Sequence, residues 1–309
     1  MTLCPPYIDM QVNGYVGVDF NDPEVGLGAL RRADKVMRED GVEAALPTVI
    51  TDSAERMEAC VRGLAEVIKA TAGEGCFHGI HLEGPFLSPK PGFIGAHPVE
   101  HASGQDLRLL ERLLDAAAGH VRMVTLDPAV DDGARMTRLC SERGILVAAG
   151  HTDASIEELE VSVEAGLSMF THFGNACPQK LDRHDNILYR ALSLRDKIAF
   201  TVIADGHHVP GLLFRFLFEI IDSEKLIVVS DAISAAGLGT GVFQLGRKPV
   251  RVGEDRVARD PSGENFAGSA ARMLEADRWL EEELQFDQCQ RRKLLYANAA
   301  GLLGLDGKF

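Results

Sequence analysis

Eight short apolar runs, each bounded by turn residues, alternate along the chain with segments of helical spacing. No other feature restricts the fold as much. The runs are 7–12, 44–50, 76–82, 121–126, 145–149, 168–171, 198–203 and 225–229. Their short, near-continuous apolar character suits strands covered on both faces. Between most of them lie segments with helical periodicity, 28–39, 53–71, 104–118, 133–143, 155–165 and 209–221. Thr51, Asp52 and Ser53 offer capping side chains to the second of these. Strands alternating with helices imply parallel βαβ units, and eight of them favour a closed α/β barrel, the (β/α)8 or TIM type, over an open sheet. A chain of 309 residues, 46% hydrophobic, can fill that core as a single domain over 1–309.

Barrel enzymes build their sites at the C-terminal ends of the strands, and here the apolar runs end in chemistry. The first leads to Gln11 and Asn13, the third to His81 and Glu83, and the fifth to His151 and Thr152. The sixth leads to Thr171 and His172, the seventh to Asp205, His207 and His208, and the eighth to Ser230 and Asp231. Glu83, His151 and His172 supply one carboxylate and two imidazoles from three strand ends, the donor set of a catalytic metal site that keeps a position open. A divalent ion there lowers the pKa of water from about 15.7 to around 7, so hydroxide becomes available at neutral pH. Asp231 is placed to take that proton as general base and return it as general acid; the alternative is a carboxylate that only satisfies a turn beginning at Ala232. His81 shares a face with Glu83 and is expected to orient a ligand by hydrogen bond, whereas alternation turns His207 away from His208. After the eighth run, 237–268 reads as an insertion over the barrel mouth, with a hairpin in 242–257, and 270–284 and 287–303 read as closing helices.

Composition narrows the partners. A formal charge of −14, with no basic patch, opposes nucleic acid. A small anionic substrate is not excluded, because a few local donors hold one phosphate. The six cysteines are Cys4, Cys60, Cys76, Cys140, Cys177 and Cys289; they show no CxxC pair and suit reduced thiols in a cytoplasm. The most apolar stretch, 212–221, carries Arg215 and Glu219, so no membrane span is expected.

In order along the chain stand HLEGPF (81–86), GAH (95–97), GHT (150–152), TH..NA (171–176), ADG.HV (204–209) and SDA..AAG (230–237). Together, from about Tyr7 to Gly301, they resemble the N-acetylglucosamine-6-phosphate deacetylase family of the amidohydrolase superfamily. The resemblance implies a (β/α)8 barrel and hydrolysis of the acetamide of an N-acetyl amino-sugar phosphate to acetate. It also implies metal binding by Glu83, His151 and His172, acid/base action by Asp231, and polarisation of the amide carbonyl by His97. Asn175, the Ala176 backbone and His208 are implied as sugar-phosphate contacts, and the assembly as a homodimer whose neighbouring subunit lends a phosphate-binding arginine.

The chain departs from that family in three places. Gln11 and Asn13 stand where many amidohydrolases carry His-x-His, and amides are poor ligands beside imidazole. One divalent ion per chain is therefore expected, zinc first, with iron or cobalt as the alternatives; the two amides remain open to a plain hydrogen-bonding role. The β-sandwich usual in the family is expected to be absent, so helices or a partner subunit must cover the barrel floor. The loop 173–186 is long and polar, and Arg183, then Lys180 and His184, are its candidates to meet an anion through the planar guanidinium fork. Cys177 is read as packing, and Gly268-Ser269 either as a sugar contact or as the N-cap of the following helix. Other readings of the whole remain another amidohydrolase, acting on a cyclic amide or an unphosphorylated N-acetyl sugar, and a non-catalytic sugar-phosphate-binding barrel.

Overall fold

The computed structural model describes residues 6–71 and 74–305; Cys4 and the ends of the 1–309 assignment lie outside these. Eight strands, β1 (Tyr7–Val12), β2 (Val42–Ile50), β3 (Ile80–Glu83), β4 (Val121–Leu126), β5 (Leu146–Ala149), β6 (Leu167–Phe170), β7 (Ala199–Ile203) and β8 (Leu226–Val229), pair in parallel in chain order. The sheet rolls into a barrel whose first and last strands meet at their C-terminal ends. There Asp231 N–H donates to Gln11 O at 2.9 Å and Asn13 N–H to Ala232 O at 2.6 Å.

The helices between the strands are α1 (Leu27–Glu39), α2 (Ala54–Ala70), α3 (Leu107–Ala116), α4 (Arg135–Glu142), α5 (Ile156–Glu164), α6 (Ile187–Ser193) and α7 (Gly211–Ile220). Helix α6 is missing from the sequence reading because seven residues show fewer than two turns of periodicity. Asn186 starts it by accepting from the N–H groups of Leu188 and Tyr189. Ser53 does precede α2, but its side chain makes no capping bond. Asp52 instead accepts from the Ser53 N–H at 2.6 Å and from Arg56 at 2.8 Å.

Each strand divides its side chains between two cores, as β4 shows: Met123 points into the barrel, while Val124 and Leu126 meet the helices. Strand β1 breaks this alternation. Its register with β2 runs from Asp9 opposite Ala45 to Val12 opposite Pro47, three steps against two. The extra residue is a bulge, which lets Gln11 follow Met10 into the interior.

The remaining chain closes both ends. Helix α8 (Met273–Glu282) completes the outer ring. The path then runs through α9 (Gln288–Arg292) and a π-helical turn (Lys293–Ala297) into α10 (Asn298–Leu303). Ala299, Ala300, Leu303 and Leu305 join the same apolar cluster as Ile8, Met10, Leu46 and Met123. Helix α10 is therefore the floor that the sequence left to a helix or a partner. Asn298 Nδ2 donates to Leu226 O at 2.7 Å and Arg122 to Leu303 O at 3.0 Å. At the other end, β9 (Gly241–Leu245), β10 (Lys248–Val252) and β11 (Ala258–Arg259) form a small antiparallel sheet. Its turn is fastened to the barrel rim by Gly246 N–H to Asp19 at 2.8 Å, Arg247 to Asp52 at 2.8 Å, and Lys248 Nζ to His97 O at 3.2 Å.

Candidate active site

Three strand ends share an unusual backbone. His151, His172 and Asp231 follow β5, β6 and β8 with φ of 52°, 30° and 47°. This left-handed region costs a non-glycine residue roughly 1–3 kcal/mol and persists only where neighbours enforce it. Here they do so by hydrogen bonds: His172 N–H to Thr201 Oγ1 at 2.7 Å, Asp231 N–H to Gln11 O at 2.9 Å, and Ser88 N–H to His151 O at 3.0 Å.

The kinks turn three donor atoms toward one point. Glu83 Oε1 lies 2.9 Å from His172 Nε2 and 3.3 Å from His151 Nε2, and the two imidazole nitrogens are 3.2 Å apart. Bonds of about 2.0–2.1 Å to a tetrahedral ion put neighbouring ligand atoms roughly 3.3 Å apart, so this spacing fits a metal. His151 Nδ1 lies 2.8 Å from the Phe93 carbonyl oxygen, which can only accept; the ring proton therefore sits on Nδ1 and leaves a lone pair on Nε2. Glu83, His97 and His151 form a second, overlapping group whose donor atoms all lie within 4.8 Å of one another. His97 Nε2 is 3.7 Å from the other Glu83 oxygen, while its Nδ1 faces the Thr51 N–H at 3.3 Å and hydroxyl at 2.9 Å.

The electrostatics match a place for a cation. Burial disfavours the Glu83 carboxylate, yet the imidazoles of His151 and His172 hold its pKa well below the usual range. Burial also opposes charge on His172, but Glu83 beside it raises that pKa. Both shifts have one source, a buried pocket beside Glu83 that favours positive charge. Burial, with His151 close by, keeps His97 well below its ordinary value and hence neutral.

Asp231 is the second carboxylate of the site, pushed up to about 6 by burial and by the charge of Glu83. It accepts from Asn13 Nδ2 at 2.7 Å and Gln11 Nε2 at 3.3 Å. Gln11 Nε2 also donates to Glu83 Oε1 at 2.9 Å, and the Thr171 hydroxyl donates to Gln11 Oε1 at 2.8 Å. That last bond fixes the amide so that its NH2 faces both carboxylates. Gln11 and Asn13 are donors here. His81, expected to orient a ligand, bonds instead to Thr48 at 3.3 Å and Thr125 at 2.8 Å. It is fully buried, which brings its pKa down to about 4, and it fills the layer beneath Glu83.

These groups line a cavity of about 330 Å³ that also takes in Asn175, Ala176, Cys177, Gln179 and His208. His208 Nδ1 lies 2.7 Å from the Asp205 carboxylate, so Asp205 orients the ring, and Phe266 packs against it at 4.8 Å between centroids. His207 is exposed, away from the cavity. So are Lys180, Arg183 and His184, none of which lines it. Burial raises the Cys177 thiol, which removes any thiolate character. Gly268 lines the wall at φ 62°, where a Cβ would lie 2.5 Å from Ile233 Cγ2. Ser269 Oγ accepts from Ala271 N–H at 2.9 Å, a turn ahead of α8, whose N-cap is Arg272; the Ser269 cap reading is thereby corrected. The sequence missed Leu245 and the Glu264–Asn265–Phe266 edge, which also line an outer space of about 690 Å³ with Lys248. Their only signal was their position in the segment expected over the mouth.

No family model matches the sequence. The chain is 31% identical over 306 residues to N-acetylglucosamine-6-phosphate deacetylase of Bacillus subtilis, covering 98% of itself and 76% of that protein. It is 33% identical over 316 residues to the Homo sapiens protein of the same name, covering 98% and 75%. With N-acetylgalactosamine-6-phosphate deacetylase of a Shewanella strain the identity is 34% over 283 residues, covering 92% and 69%. The solved D267A mutant of N-acetyl-D-glucosamine-6-phosphate deacetylase from Mycobacterium smegmatis, in complex with N-acetyl-D-glucosamine-6-phosphate, superposes with a TM-score of 0.89 at 29% identity. The alignment covers 98% of this chain and 78% of that one. The Thermotoga maritima deacetylase gives 0.86 at 26%, covering 98% and 79%.

Proposed function

The chain belongs to the N-acetylglucosamine-6-phosphate deacetylase family of the amidohydrolase superfamily, and from that membership we propose how its barrel mouth does the chemistry. It is a metal-dependent carbohydrate deacetylase that releases acetate from an N-acetyl amino-sugar phosphate and leaves the amino-sugar phosphate. The observation that carries the site assignment is the 2.9–3.3 Å convergence of Glu83, His151 and His172 beside a carboxylate pushed up to about 6.

We assign one divalent ion, zinc first and iron or cobalt as alternatives, to Glu83, His151 and His172. The overlapping group with His97 is set aside because a fourth protein donor would fill the position that catalysis needs open. When bound, the ion supplies the Lewis acidity that makes water a nucleophile near neutral pH. Asp231 takes the proton of the attacking water and delivers it to the nitrogen as the C–N bond breaks, while the new C–O bond becomes part of acetate. Asn13 and Gln11 hold that carboxylate in place. His97, neutral, with Nδ1 accepting from the Thr51 N–H, presents Nε2–H to the amide oxygen as negative charge develops there.

Asn175, the Ala176 backbone and His208 are assigned to the sugar phosphate. Arg183 is exposed and does not line its own cavity, so it is not assigned to the phosphate; a homodimer whose neighbouring subunit lends an arginine is carried by the family resemblance alone. We read the chain as one barrel with an insertion at about 237–268 that walls the cavity. A cytoplasmic setting is supported by five unpaired cysteines among the described residues, Cys60, Cys76, Cys140, Cys177 and Cys289. No helix there is long and apolar enough to cross a membrane.

The test is acetate release from N-acetylglucosamine-6-phosphate, N-acetylgalactosamine-6-phosphate and the two unphosphorylated sugars. Turnover of a phosphorylated sugar, abolished by chelation and restored by zinc, is the expected result. Equal turnover without the phosphate, or none with any of the four, would reject the assignment.

A further inference from the structure

Ser230 opens the SDA motif, and the chemistry above uses only its neighbour. Its hydroxyl nevertheless sits at the centre of a small knot. Ser230 Oγ accepts from Ala232 N–H at 3.1 Å and so spans the kinked residue 231. The same oxygen donates its proton to Asp9 Oδ2 at 2.5 Å, and Ser230 N–H donates to Asp9 Oδ1 at 3.1 Å. Asp9 is 1% exposed. It lies between Ile8 and Met10, which both point into the barrel, so its carboxyl grips the seam from the outer side of the wall. Asn13 and Gln11 grip the Asp231 carboxylate from the inner side.

We propose that Ser230 and Asp9 act as one unit of positioning residues, which keeps residue 231 in its left-handed kink and thereby aims the Asp231 carboxylate at the reacting atoms. The inference rests on the proton-transfer role given to Asp231. Removing the hydroxyl frees the Ala232 N–H and leaves Asp9 without its strongest partner. Residue 231, at φ 47°, then keeps the bonds from its N–H to Gln11 O and from the Ser269 N–H to its carbonyl oxygen, but it loses the brace that spans it, and its side chain is free to shift. Catalytic groups tolerate displacement of only about 0.5 Å, so the loss falls on the chemical step, while the sugar and phosphate contacts elsewhere in the cavity are untouched.

The experiment is steady-state kinetics of the metal-loaded enzyme with N-acetylglucosamine-6-phosphate, rates being normalised to bound metal. Variants are Ser230→Ala, Asp9→Asn, the pair together, and Ser230→Ala on an Asp231→Asn background. For Ser230→Ala, kcat falls about tenfold to a hundredfold with KM within about twofold. The pair together loses no more than Ser230→Ala alone, and on the Asp231→Asn background the serine substitution costs nothing further. An unchanged kcat per bound metal, a loss confined to KM, losses that multiply, or an equal loss without the Asp231 carboxylate each overturns the proposal. Failure of the underlying reading looks different: the unaltered enzyme would not turn over this substrate, or Asp231→Asn would retain full activity.

Discussion

Glu83 is a buried carboxylate and Asp231 a half-buried one at the same cavity, and their surroundings push them in opposite directions. Imidazoles flank Glu83 and hold it ionised, whereas Asp231 faces the charge of Glu83 and is pushed up to about 6. Paired groups whose environments separate them in this way divide the work of binding and proton transfer. Their neutral variants should therefore fail differently. Glu83→Gln is expected to lose the bound ion, read as metal per chain after gel filtration, because an amide is a weak ligand beside imidazole. Asp231→Asn should retain the ion and lose kcat by about 10²- to 10⁴-fold. All of these residues were legible in the sequence because each closes an apolar run. The left-handed backbone of His151, His172 and Asp231 was not, since no glycine or asparagine advertises it.

At the scale of elements, the seam between β1 and β8 carries a buried carboxyl, that of Asp9, bonded to Ser230. Burial raises Asp9 from 3.8 to about 7 against the hydrogen bonds from Ser230. The folded protein therefore holds this proton more tightly than the unfolded chain, and between about pH 4 and pH 7 stability falls as pH rises. The effect is present in full below the unfolded pKa and is spent above the folded one, and it amounts to roughly 4 kcal/mol. Asp9→Asn removes this slope. In urea unfolding, the advantage of the natural protein over Asp9→Asn should shrink as pH is raised across that window; a constant difference would contradict it. The strands and six of the seven helices between them followed from periodicity, which is local. Helix α6 was too short to show one. The meeting of 264–266 with the cavity and the bulge that turns Gln11 inward both depend on contacts between residues far apart in sequence, where a linear pattern carries no signal.

The whole molecule is organised around two closures, the fastened hairpin above and α10 below. Leu303 and Leu305 pack with Ile8, Met10 and Met123, all buried. Deleting everything after Ala297 should expose the inner ends of most strands at once, and the product should be found in the insoluble fraction or as large aggregates on gel filtration. A soluble monomer with normal far-ultraviolet dichroism would show that the strands suffice. The arrangement also bears on how the molecule is made. A ribosome delivers β1 first and α10 after everything that must rest on it. The growing chain can thus assemble its ring of strands and helices and still hold a wet, unsealed hollow, which dries only when the final helix emerges and drops into place.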